Sequence, residues 1–133
     1  MRTVVWLLIS WAVGLAAYGG ALVALRGEVL SLDNWTLVGS VTLVAWFVSS
    51  IVILPILRLL VSRRSPDRRR GGLALVGAVV AIVPLWLNLT FWYGWNPRHL
   101  LIGEAGFLGV HYATSGLVLS LLLARQAAPQ AKD

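Results

Sequence analysis

Residues 34–57 read NWTLVGSVTLVAWFVSSIVILPIL, twenty-four consecutive positions without a charge. A helix rises 1.5 Å per residue, so about 20 apolar residues cross the roughly 30 Å hydrocarbon core of a bilayer. This stretch offers water almost nothing on any face, and it is read as a membrane-spanning helix. Strands are not expected, because in lipid every backbone N–H and C=O must be paired, and a long uniformly apolar run achieves that within itself only as a helix.

Three more uncharged runs flank it, at residues 3–25, 71–97 and 105–124. The expected fold is therefore an all-α membrane protein, a bundle of four transmembrane helices near residues 4–25, 35–61, 72–94 and 100–124. They form a single transmembrane domain over residues 1–133. The first connection holds Arg26, Gly27, Glu28, Ser31 and Asp33. The second is a basic loop over residues 62–71, with Ser65-Pro66-Asp67 as a turn signal. The third contains Gly94-Trp95-Asn96-Pro97, a helix breaker.

Composition agrees. The chain has 133 residues, 59% hydrophobic and only 12% charged, against about a quarter charged in soluble domains. No polar stretch is long enough for a separate soluble domain. Cysteine is absent, which removes disulfides, thiol chemistry and cysteine-based metal sites. The net charge of +6 is local rather than a nucleic-acid-binding surface, since Arg63, Arg64, Arg68, Arg69 and Arg70 share one short loop. Beside an anionic leaflet these arginines would meet lipid headgroups at about 1 kcal/mol each.

The same charges set an expected orientation. Short cytoplasmic loops are enriched in Lys and Arg. With the arginine loop inside, both termini are cytoplasmic, and that side carries Arg2, Arg58, Arg125 and Lys132 as well. Only Arg26 and Arg98 fall outside. Trp35, Trp92, Tyr93 and Trp95 then sit at the outer ends, where an aromatic belt belongs. The first apolar run continues well past the 7–15 residues of a signal-peptide core, so it is read as a span. Ten arginines against one lysine, in an alanine-, leucine- and glycine-rich chain, suggest a bacterial source and hence the inner (cytoplasmic) membrane.

Intramembrane polar groups are costly and mark candidate sites. Counting inward from the outer ends puts Tyr18, Thr42, Asn88 and His111 at one level, an expected polar layer with His111 bonded to Asn88 or Tyr18. Its plain role is interhelical hydrogen bonding, at about 0.6 kcal/mol per bond. The alternative is a ligand or proton site whose mouth is formed by Tyr93, Trp95, Asn96, Arg98, His99 and Glu104. Small residues mark expected helix contacts: Gly106, Gly109, Ala113, Gly116 and Ser120 in the fourth helix, and Ala16, Gly20 and Ala24 in the first, where Ser10 and Gly14 form another line.

No cofactor is required by the sequence. His111 is the candidate for single-histidine ligation of a haem or chlorophyll-type ring; His99 lies twelve residues away, about 18 Å along one helix, too far to be a second axial ligand of the same group. No metal cluster, paired carboxylate, phosphate loop or serine–base pair stands at recognisable spacing, and the chain is not expected to be an enzyme. The expected function is a non-catalytic accessory or assembly subunit of a bacterial inner-membrane complex, with an energy-transducing complex as a natural host. The expected partners are membrane lipids and other membrane subunits or copies of itself. A small homo-oligomeric channel or transporter is one alternative. A lipid- or quinone-binding protein with a site at the outer face is the other.

Overall fold

The computed structural model describes residues 1–62, 70–93 and 104–127. Among them there are four helices and no strand: α1 (Arg2–Arg26), α2 (Leu32–Ser62), α3 (Arg70–Tyr93) and α4 (Glu104–Ala127). Three stretches are long and apolar enough to cross a membrane, Arg2–Arg26, Leu32–Ser62 and Gly106–Gln126. The described apolar stretch of α3, Gly72–Leu87, is shorter, so four membrane-length helices were expected and three are found among the described residues.

The α1–α2 turn shows how local chemistry ends one helix and starts the next. Gly27 takes a left-handed conformation, φ 63°, and its N–H donates to Val23 O. Only glycine adopts that geometry without strain, which makes it the usual residue just past a helix end. Four residues on, the Trp35 N–H donates to Ser31 O at 2.9 Å and the Asn34 N–H to Ser31 Oγ at 3.4 Å. Asp33 lies in the first turn of α2, where its negative charge faces unpaired N–H groups. The cap thus lengthens α2 backward: Asp33 was assigned to the connection and belongs to the helix.

Arg58 Nη2 donates to Thr3 Oγ1 at 3.2 Å, tying the start of α1 to the end of α2. At the other end, the Arg26 guanidinium stands 4.9 Å over the Phe107 ring, tying the end of α1 to the start of α4. Hereafter the end holding residues 27–31 is called the turn end. α4 lies closely along both α3 and α1, while α2 is in looser contact with all three.

Side chains divide accordingly. In α2 the buried positions are Gly39, Thr42, Trp46, Ser50, Ile53 and Leu57, a spacing of three and four that keeps one face inward. The opposite face carries Leu37, Val41, Val44, Val48, Ile51 and Ile56, all exposed, with Ile51 at 74%. Enclosed serine and threonine inside, with valine and isoleucine outside, is the arrangement of a bundle whose exterior is solvated by something apolar.

Candidate functional site

Two kinds of helix seam meet around α4. On one side the backbones approach closely. A Cβ built on Gly77 would lie 2.6 Å from Ser120 Cβ and 2.7 Å from Gly116 O; one on Gly116 would run into Gly77 O and Ala81 Cβ. A Cβ on Gly14 would collide with Ser115 Oγ and stand 2.7 Å from His111 O. Gly14, Gly77 and Gly116 are therefore where α1, α3 and α4 touch, and no larger residue fits without moving backbone.

On the other side, tryptophans hold α2 to its neighbours. Trp46 is fully enclosed. Its Nε1 donates to Ser10 Oγ at 3.2 Å, and Ser10 Oγ donates to Leu7 O at 2.9 Å. Its ring meets Tyr112 of α4 edge-on at 5.7 Å and 80°. In the reverse direction, Trp11 Nε1 of α1 donates to Thr42 Oγ1 of α2 at 3.1 Å. Each helix thus presents an indole to the other's hydroxyl, which satisfies the indole N–H in a place where water is excluded.

His111 sits at the α1–α4 seam. It is fully buried, as is Ser115 one turn on. Both ring nitrogens and Ser115 Oγ lack a hydrogen-bond partner among the described residues. A neutral imidazole has one donor and one acceptor, and an unmet buried polar group costs about 1–3 kcal/mol, so this pair is the least satisfied part of the core among the described residues. The expected hydrogen bond from Tyr18 is not formed. Tyr18 packs instead edge-on against Phe107, at 6.4 Å and 86°, one helical turn closer to the turn end than His111. Thr42 lies on the α2 side, engaged with Trp11. Of the expected layer, Tyr18 and His111 lie toward α4 and Thr42 toward α1 and α2, because residues at one depth on different helices meet only if they also share a face.

Asn88 lies in α3 and Glu104 opens α4, but their side chains lie outside the described residues, as do Arg98 and His99 entirely. The same holds for Arg63, Arg64, Arg68 and Arg69, and for the side chain of Arg70. The proposed mouth of an outer site cannot be assembled from what is described. Ligation of a large planar ring by His111 does not fit this packing, since the imidazole is fully enclosed and α1 lies against the same turn of α4.

Among the expected packing glycines, Gly116 lies in the tightest contact and Gly106 is half-buried. Gly20 and Gly109 make no close helix contact within the described chain: an added Cβ at either meets nothing within 4 Å. What sequence reading missed is Gly77 and the role of Trp11 and Trp46. The signals were present, as Gly77 and Ala81 are four apart, and an indole in mid-span needs a partner that an interfacial indole does not. Compared with protein-family models, with curated proteins and with solved structures, the chain matches none.

Proposed function

We propose that this chain is a membrane-embedded, non-catalytic accessory or assembly subunit that docks other membrane proteins in a bacterial inner-membrane complex. One observation carries the reading. α1 has two lines of small residues, and among the described residues only one is packed within the chain. Ser10 and Gly14 face inward. Ala12, Ala16, Gly20 and Ala24, four apart, are all exposed, and at 3.6 residues per turn they form a stripe on the side away from Gly14. Lipid tails gain nothing from such a stripe. A second helix gains close backbone contact, the main source of association inside a bilayer.

The apolar exterior of α2 supports membrane insertion, and the nine-to-two distribution of basic residues supports an inward-facing arginine loop with both termini cytoplasmic. The channel alternative asks for a polar face shared between copies around Thr42, Asn88 and His111; Thr42 and His111 are enclosed within this chain, Thr42 bonded to Trp11.

The test is purification of the tagged chain from its native host in mild detergent, followed by native mass spectrometry. Stoichiometric membrane proteins of other sequence are the expected result. A particle containing only copies of this chain overturns the subunit reading and favours the channel. Orientation is checked separately: a reporter after Asn96 is expected outside, and one at the C-terminus inside.

A further inference from the structure

We infer that the groove between α1 and α2 near the turn end holds one acyl chain of a membrane phospholipid. The inference rests on the membrane reading above and goes beyond it, because lipid is here a bound component and not only a solvent. The groove has a volume of about 350 Å³ and is lined by Trp11 and Leu15 of α1 and by Trp35, Gly39, Ser40 and Leu43 of α2, with Thr36 at its rim. That volume is in the range of small-molecule sites.

The groove follows from the way large and absent side chains alternate along the seam. Indoles keep α1 and α2 apart, and Gly39 leaves the space between them unfilled: a Cβ there would approach nothing nearer than Leu15 and Trp11, each at 3.8 Å. Both indole walls are fixed in advance. Trp11 is pinned through its hydrogen bond to Thr42. The Trp35 ring lies against the bare backbone of Gly19, where a Cβ would come within 2.7 Å of its Cζ2. A site already shaped demands little ordering when it is filled.

Hydrogen-bond accounting selects the occupant. The Trp11 N–H goes to Thr42, the Thr36 hydroxyl donates to Leu32 O at 2.9 Å, and the Ser40 hydroxyl donates to Thr36 O at 2.7 Å. With these three donors engaged within the chain, the Trp35 indole N–H is the donor left in the described walls, so a sugar, nucleotide or peptide would bring more polar groups than the walls meet. A hydrocarbon chain has none to lose. Direction agrees: Trp35 to Leu43 is eight residues, about 12 Å along the helix axis, so the groove runs as acyl chains run beside a transmembrane helix. Its α2 rim carries the exposed Thr36 and Ser40.

The test uses the full chain in detergent, equilibrated with phosphatidylglycerol and then stripped by repeated detergent exchange, with retained lipid read by native mass spectrometry. Wild type is expected to keep about one lipid per chain. Gly39→Phe and Ser40→Phe, which fill the groove from its floor and from its exposed rim, are expected to lower occupancy about tenfold, with helical content and melting unchanged in the rim variant. Ser40→Ala, which fills nothing, keeps the lipid. Equal retention in both filled variants and wild type, or no retained lipid in wild type, overturns the inference. Recovery of a peptide in place of lipid overturns it too. Vesicle flotation of the same samples separates the two claims: a chain that floats yet shows no groove-dependent retention sinks the groove and leaves the membrane reading standing.

Discussion

The α4 seams and the α2 seam hold their helices together by opposite means. Along α4, Gly14, Gly77 and Gly116 remove side chains so that backbones touch. Along α2, Trp11, Trp35 and Trp46 insert the largest side chain available and bridge a wider gap. The two fail in opposite directions. A glycine seam is broken by adding atoms and a tryptophan seam by removing them. The contrast also says where ligands fit, because a seam with no interstices offers nothing to an acyl chain, whereas one propped open by rings does.

The largest expected effect tests the tryptophan seam. Trp46→Ala removes a fully enclosed ring, its bond to Ser10 and its contact with Tyr112, and should cost about 3–5 kcal/mol. Thermal unfolding followed by circular dichroism in detergent reads this, and a wild-type melting curve would show that the ring is not what joins α2. Next come Gly116→Leu and Gly14→Leu. Each drives side-chain atoms into a facing backbone, and overpacking of this kind costs roughly 1–3 kcal/mol. If either variant melts like wild type, the close approach is not real. Thr42→Val should be smaller, about 0.6 kcal/mol for one interhelical bond, measured by titration with a denaturing detergent. A large loss there would mean the Trp11 contact organises the seam. The smallest effect is expected at Gly109→Ala, where open space and better helix propensity should leave stability unchanged or raised by under about 1 kcal/mol.

Much of the fold was legible. Uncharged runs located the helices to within a few residues, because length and apolarity alone decide what can lie across a membrane. Gly27 and the Asp33 turn were placed in the right neighbourhood, though the cap at Ser31 extended α2 further back. The seams were only partly legible. Gly116 and Ser120 stood out at helical spacing, yet Gly109 shares that pattern and is open, since spacing identifies a face without saying how far the neighbouring helix is. His111 stood out as an ionisable group deep in the fourth span and is fully buried, but its expected bond to Asn88 or Tyr18 rested on depth alone. Depth places residues at one level; only rotation of each helix about its axis decides who meets whom, and that depends on packing across the whole bundle.

α1 carries the central claim: its inward small line builds this fold, and its outward line is proposed to dock another protein. The most direct measurement compares Gly14→Leu with Gly20→Leu in the native host, scoring both melting of the purified chain and recovery of co-purifying membrane proteins. The account predicts that Gly14→Leu destabilises the chain itself, whereas Gly20→Leu melts like wild type and loses its partners. A Gly20→Leu chain that keeps its full set of partners would contradict it.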